Sequence, residues 1–246
     1  MTRATRPRGA APAVGILTRA PEAGRSKTRL AAAIGADKAA LLAEAMLLDT
    51  TNALRDSERW RTALFVEPES AVDTVRTRTG VDDARAQGGG SIGARMLQAA
   101  QALLADGQAP VVLVGSDIPT LSAEHIAEAL TALESADVVF GPADDGGYYL
   151  IGLWEAAAPL FDDDAIPWST SEVLAASLRV VDALGWSWAQ IRRERDLDTP
   201  ADLATLRRHL ERRGTDGTVA AQTLKALASI DASLGAAGAT GEGAEE

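Results

Sequence analysis

The chain contains no cysteine, which removes disulfides, thiolate metal centres and cysteine nucleophiles together. Only His125 and His209 offer imidazoles. Both fall in stretches that read as polar helix faces, so both are expected to be solvated and zinc chemistry is not expected. No apolar run reaches the roughly 18 to 20 residues that span a bilayer. Arg3, Arg6 and Arg8 precede only a short apolar strand, so a secretory leader is not expected, and a cytoplasmic protein is. Positive charge is scarce as well: 24 Lys and Arg stand against 35 Asp and Glu in 246 residues, a net charge of −11. Such a surface repels the phosphate backbone of nucleic acid, and no basic stripe with interleaved aromatics offsets it. Neither nucleic acid nor a membrane is therefore an expected partner, and an anionic ligand has to be caught by a local basic cluster.

What is present is the alternation of short apolar runs with longer segments of helical period, the pattern of an α/β protein with a parallel sheet covered by helices. Strands are predicted near Ala13–Thr18, Thr62–Val66, Val111–Gly115, Val138–Gly141, Tyr148–Leu153 and Ser187–Ile191. Helices are predicted over Asp37–Arg55, Ile92–Ala105, Ala123–Ser135, Ser171–Leu184 and Pro200–Arg212. Thr199-Pro200 supplies a capping hydroxyl and then a proline where its missing N–H costs nothing. At this length one domain is expected, over 13–215. Residues 1–12 read as a flexible tail and 216–246 as an extension, partly helical and then disordered. Val219, Leu224, Leu227 and Ile230 repeat with helical period in that extension, and an oligomer contact through it is expected.

Four segments carry chemistry. The strand Ile16-Leu17-Thr18 runs into a loop holding Arg19, Gly24, Arg25, Lys27 and Arg29, a basic cluster suited to a polyphosphate. The alternative is a solvated cationic loop; a Walker A loop is disfavoured because Arg25-Ser26 separate Gly24 from Lys27-Thr28. The dense apolar run Val111–Gly115 reads as a buried strand, and Ser116 and Asp117 stand at its carboxyl end, where ligands of open α/β sheets bind. A carboxylate there can hold Mg²⁺ against substrate phosphates, or it can simply cap a turn. Asp144, Asp145, Gly146, Gly147 and Tyr148 lie between two strands. On its own this is an ordinary turn; beside a phosphate site it suits a sugar or acceptor. In Asp196-Leu197-Asp198, alternation directs both carboxylates to one side, and Asp198 becomes a candidate second carboxylate for the metal. Asp202 is placed to stabilise the helix that follows. Two weaker signals are the glycine-rich turn Gln87 to Gly93 and the run Trp168-Ser169-Thr170, an aromatic platform with hydroxyls or a loop with a helix cap.

In order along the chain, Lys27-Thr28-Arg29-Leu30, Gln87 through Met96, Gly115-Ser116-Asp117-Ile118-Pro119, Asp145 through Leu153, Trp168-Ser169-Thr170 and Asp196 through Leu203 resemble a GT-A superfamily transferase family. It is the uncharacterised DUF2064-type family, also called arsenosugar-biosynthesis glycosyltransferase or radical-SAM/selenodomain-associated transferase, and the resemblance covers about residues 13 to 213. That family is similar to 2-phospholactate and molybdenum-cofactor guanylyltransferases. The resemblance implies a three-layer α/β/α GT-A domain with a mostly parallel sheet. It also implies that Asp117 and Asp198 hold Mg²⁺, or Mn²⁺ in its place, that Lys27 and Arg29 steady phosphates, and that Gln87 and Gly93 face the base. The loop Arg19-Ala20-Pro21 and the double tyrosine depart from the molybdenum-cofactor enzymes, so their substrates do not transfer.

Two reactions suit these residues, and the four-cation loop favours the first, nucleotidyl transfer, with glycosyl transfer as the alternative. In nucleotidyl transfer a phosphorylated or phosphonylated small molecule attacks the α-phosphorus of an NTP and pyrophosphate leaves; catalysis is then positioning and charge neutralisation. In glycosyl transfer from an NDP-sugar, the metal stabilises the departing nucleoside diphosphate, and Asp144 or Asp145 contacts the sugar or acts as base. A nucleotide-binding protein without catalysis is the third alternative. In each enzymatic case Thr18, Arg19, Gly24, Arg25, Lys27, Gln87, Gly93, Ser116 and Asp117 form the nucleotide site. Asp144 to Tyr148 and Trp168 to Thr170 form the acceptor or sugar site.

Overall fold

The computed structural model describes residues 6, 9–55, 57–213 and 220–241, the side chains of 207–213 and 234–241 excepted. In chain order the elements are β1 (Ala13–Arg19), α1 (Thr28–Ile34), α2 (Ala36–Ala53), β2 (Arg61–Glu67), α3 (Val72–Thr79), β3 (Ala84–Ala86), α4 (Ile92–Ala105), β4 (Val111–Gly115), α5 (Ala123–Leu133), β5 (Val138–Pro142), β6 (Tyr148–Leu153), α6 (Val173–Ala183), β7 (Trp188–Gln190), α7 (Pro200–Arg213) and α8 (Ala221–Gly241). The strands form one sheet in the order β3-β2-β1-β4-β6-β5-β7. All neighbours are parallel except β6, which runs against both β4 and β5. The α/β class and the mostly parallel sheet are as the sequence predicts.

Strand alternation divides the core into two layers. Val14 and Ile16 of β1, Leu64 and Val66 of β2, and Val112 and Val114 of β4 pack with Leu47 of α2, Val75 of α3 and Ile126, Ala129 and Leu133 of α5. The intervening residues Ala13, Ala63, Phe65, Val111 and Leu113 pack on the other face with Met96, Ala99, Ala100 and Leu103 of α4 and Val181 of α6. Because β1, β2 and β4 are covered on both faces they read as continuous apolar runs, which is why they are visible in the sequence.

Three elements go beyond the sequence reading. β3 has three residues, and α3 buries only Val75 and Thr79 among charged neighbours, so neither has an apolar period to detect. α1 begins at Thr28, inside the stretch read as loop. The C-terminal helix α8 corrects an expectation. Ala226, Leu227 and Ile230 pack inside this chain with Leu30 and Ile34 of α1, Leu42 and Met46 of α2, and Leu197, Leu203 and Leu206. Asp49 of α2 accepts the N–H groups of Gln222 and Thr223 at 2.9 and 2.8 Å, satisfying donors that a helix start leaves open. The period of Leu227 and Ile230 is thus accounted for by this chain's own core rather than by a second subunit; Val219 lies outside the described residues. Among the described residues no helix is long and apolar enough to cross a membrane.

Candidate active site

β1 and β4 are parallel neighbours, with Leu17 opposite Gly115, so the loops leaving their carboxyl ends open into one crevice. One residue beyond that pair, the hydroxyls of Thr18 and Ser116 meet at 3.0 Å. The loop after β1 coils on itself: the Glu22 carbonyl accepts from the N–H groups of Arg25 and Ser26, and Ser26 Oγ accepts the Glu22 N–H at 2.9 Å. The coil ends at Lys27, whose backbone is left-handed (φ 47°, ψ 49°). A side chain other than glycine is strained there and persists only when its surroundings hold it. Lys27 is held through its ammonium, with Nζ 2.5 Å from Asp117 Oδ1 and 2.8 Å from Asp198 Oδ1.

The lysine side chain is 6% exposed, the two carboxylates 56% and 46%. Burial pushes the Lys27 pKa down, but Asp117 and Asp198 more than reverse this, so it stands above the ordinary lysine value and the group is a cation. Asp198 arrives on an extended segment pinned to the Asp117 loop, since the Leu197 N–H donates to the Asp117 carbonyl at 3.1 Å. Immediately after it, Asp202 Oδ2 accepts the N–H groups of Thr199 and Asp198, and Thr199 Oγ1 accepts the Asp202 N–H at 3.3 Å. This reciprocal cap starts α7, as the Thr199-Pro200 signal predicts. Asp196, two residues earlier, is crowded: burial first, then Asp145, Asp117 and Asp198, push its carboxyl up to about 7, with Lys27 opposing.

Two clefts flank this point. The first, about 380 Å³, is lined by Thr18, Arg19, Arg25, Lys27, Arg29, Gln87, Ser116, Asp117 and Asp198 of the sequence-based set. It is also lined by Glu67 and Arg95, which sequence reasoning missed. Glu67 ends β2 and pairs with Arg95 and, at 3.3 Å, with Arg19. Burial raises its pKa, but the two arginines outweigh that and hold it below the usual carboxylate value. Arg95 lies inside the motif around Gly93, and its position in the first turn of α4 is the signal that could have found it. The second cleft, about 270 Å³, shares Leu17, Ile92 and Asp117 with the first. It is lined by Asp145, Gly147, Tyr148 and Trp168, as the sequence suggests, and by Met96, Tyr149 and Asp196. No lysine or arginine is among its described lining residues.

Several sequence assignments change. Gln87 reaches the first cleft, and its buried amide donates to the carbonyls of Thr18 and Phe65 at 2.7 and 3.0 Å, tying β1 to β2. Gly93 is a packing glycine: a Cβ there would stand 2.3 Å from the Phe161 carbonyl and 2.7 Å from Trp168 Nε1. Gly146 is another, with Ser171 O 2.2 Å from its would-be Cβ. Gly24 is exposed at the loop tip and does not line the first cleft. Asp144 turns away from the second cleft to pair with Arg195 at 2.8 Å, while Asp145 Oδ1 accepts the Gly147 N–H at 2.8 Å in a tight turn. Ser169 and Thr170 are exposed, and Thr170 Oγ1 accepts the Glu172 N–H at 3.2 Å just before α6, so Thr170 serves the turn. His125 is not solvated: it is 3% exposed and its Nε2 lies 2.9 Å from Glu194 Oε1. The side chain of His209 lies outside the described residues.

Among the described residues no group of three or more His, Asp or Glu side chains stands ready to hold a metal ion. Two carboxylates do converge on one cationic centre, the Lys27 ammonium. That donor set fits Mg²⁺ or Mn²⁺ of the kind that keeps several waters and takes its remaining oxygens from substrate phosphates.

A family model described as "Uncharacterized protein conserved in bacteria (DUF2064)" matches residues 47–170, half of the chain. The fold is similar to a crystal structure from Desulfovibrio desulfuricans G20, provisionally described as a nucleotide-diphospho-sugar transferase. The two share 29% identity, with a TM-score of 0.81, over 90% of this chain and 96% of that one. A cytidylyltransferase from Leptospira borgpetersenii is 13% identical at a TM-score of 0.52, over 91% and 96% of the two chains. A 4-diphosphocytidyl-2C-methyl-D-erythritol synthase from Anaerococcus prevotii is 13% identical at 0.53, over 82% and 96%. The last two likenesses are of fold alone.

Proposed function

The chain belongs to the family described as uncharacterized protein conserved in bacteria (DUF2064), and from that premise we propose that this nucleotide-dependent transferase moves a glycosyl group from a nucleoside-diphosphate sugar to a small hydroxylated acceptor. One observation carries the reading: a cation-rich cleft and a carboxylate-lined, aromatic-walled cleft without cations meet at Asp117. Diphosphate oxygens suit the first cleft, where Arg19, Arg25, Lys27, Arg29 and Arg95 surround them. A sugar suits the second, where its apolar face lies on Trp168 or Tyr148 and its hydroxyls meet Asp145 and Asp196. A phosphorylated acceptor would enter that second cleft against three carboxylates, which disfavours it. The description of the D. desulfuricans protein as a nucleotide-diphospho-sugar transferase supports the same reading.

In this mechanism Asp117 and Asp198 would hold a divalent cation, which when bound would supply charge neutralisation at the departing nucleoside diphosphate. Lys27, already positioned between those carboxylates, donates to phosphate oxygens, and Arg29 and Arg95 add charge from the cleft wall. Asp145 and Asp196 face the reacting end and are the carboxylates able to accept the acceptor hydroxyl proton. The residues that carry this mechanism lie within 13–215, with α8 packed against them. Nucleotidyl transfer is the second reading, favoured by the five cationic side chains that line one cleft.

The experiment is to incubate the protein with Mg²⁺, hydroxylated and phosphorylated acceptors, and either NDP-sugars or the four NTPs, following NDP and pyrophosphate release. NDP release from an NDP-sugar is expected. Pyrophosphate release with NTPs alone would replace the glycosyl reading by the nucleotidyl one, and binding of nucleotide without release of either would leave a non-catalytic binder.

A further inference from the structure

We propose that His125 and Glu194, which line neither of the two clefts described above, are a positioning pair. They lock the segment carrying Asp196 and Asp198 onto the loop that follows Asp117, and so set the affinity of the site for its divalent cation. The inference rests on the reading of Asp117 and Asp198 as the metal-holding pair.

His125 sits in the first turn of α5, 3% exposed. Its Nδ1 faces the backbone N–H of Ser122 at 3.2 Å. That group can only donate, so Nδ1 accepts and the ring proton stands on Nε2. Nε2–H then donates to Glu194 Oε1 at 2.9 Å. The second oxygen of Glu194, Oε2, accepts the Thr120 hydroxyl at 2.7 Å. One carboxylate thereby fastens two points of the 117–125 stretch, the loop and the helix start. The Glu194 main chain is committed elsewhere: its N–H donates to Pro142 O at 3.0 Å and its carbonyl accepts from Asp144 at 3.1 Å. Four residues later Asp198 reaches Lys27, and between them the Leu197 N–H donates to the Asp117 carbonyl.

Residues 194 to 198 are therefore clamped at both ends to the loop that presents Asp117. A carboxylate that orients a metal-holding segment from outside the coordination sphere acts on metal affinity through the placement of that segment. A histidine buried merely for packing could satisfy Nε2 with any nearby carbonyl. Here it is met by a carboxylate on the segment that has to be fixed.

The test is calorimetric titration of the metal-free full chain with Mn²⁺, comparing wild type with Asp198→Ala, Glu194→Ala, Glu194→Gln and Thr120→Val. Alongside it, the Mn²⁺ concentration for half-maximal turnover is measured separately from kcat. Asp198→Ala should lose the ion. Glu194→Ala should bind it about 10- to 100-fold more weakly. Glu194→Gln, whose carbonyl still accepts from His125, should recover most of that loss. Thr120→Val, which removes one of the two anchors and leaves the buried histidine alone, should weaken binding in the same direction. Wild-type Mn²⁺ affinity in both Glu194→Ala and Thr120→Val, with Asp198→Ala defective, overturns the positioning pair and spares the metal-holding reading. A Glu194→Gln as impaired as Glu194→Ala also overturns it, because charge and not placement would then matter. Undiminished binding by Asp198→Ala removes the metal-holding reading and this inference with it.

Discussion

Lys27 concentrates the chemistry of the site in one side chain. It is the point where a strained backbone, a nearly buried ammonium and two half-exposed carboxylates coincide. Lys27→Ala leaves Asp117 and Asp198 facing one another without a cation, yet both remain open to water, so the cost to stability is expected to be only about 1 kcal/mol. Nucleoside-diphosphate affinity should fall about tenfold or more, since a charge-assisted contact to phosphate is lost. Calorimetry and a thermal melt on the same variant separate the two effects. A large loss of melting temperature with unchanged nucleotide affinity would make the lysine structural. The cluster Arg19, Arg25, Lys27 and Arg29 was legible in the sequence because its cations crowd into one short loop of an acidic chain. That Lys27 answers Asp117 and Asp198, while Arg19 pairs with Glu67, was not, because such pairings are made across the fold.

At the scale of elements, the sheet's far edge is held by a polar contact as well as by packing. Asp137, just before β5, accepts from Ser187 N and Oγ at 3.0 and 2.8 Å and from Arg6 at 3.4 Å. Burial raises its pKa, but those hydrogen bonds and the arginine outweigh it, so the folded carboxyl stands below the ordinary value of 3.8. The sign follows from linkage: the contribution is fully present above the unfolded pKa and disappears as pH falls through the lowered folded one. Urea midpoints of the wild type should therefore fall more steeply below about pH 4 than those of Asp137→Asn, which starts lower at pH 7. Parallel curves would dismiss Asp137 as a source of acid sensitivity. This element scale also shows why β3 and α3 escaped sequence reading. They are short, and at most two buried residues each are too few to establish a period.

The molecule as a whole links its C-terminal helix to the site. Leu227 and Ile230 of α8 share a cluster with Leu197, the residue between Asp196 and Asp198. Leu227→Ala should destabilise by about 2–5 kcal/mol through the cavity left behind. Ending the chain after residue 219 should lower the melting temperature further and weaken Mn²⁺ binding, because the support under Leu197 goes with it. Full Mn²⁺ affinity in the shortened chain would detach α8 from the site.

Composition and period alone determined the α/β class, the central strands, the basic loop and the carboxylates at strand ends. These are local properties, since a strand buried on both faces must be apolar throughout, and a phosphate site in an acidic protein must gather cations in one stretch. Tertiary structure decided which of those residues meet. It brought Asp117 and Asp198 to one ammonium, set Arg95 and Glu67 in the cleft, and turned Asp144 away. It also buried His125 and used Gly93 for packing. Contacts between residues far apart in the chain depend on sheet order and helix docking, and a linear pattern of residue types does not encode where those segments cross.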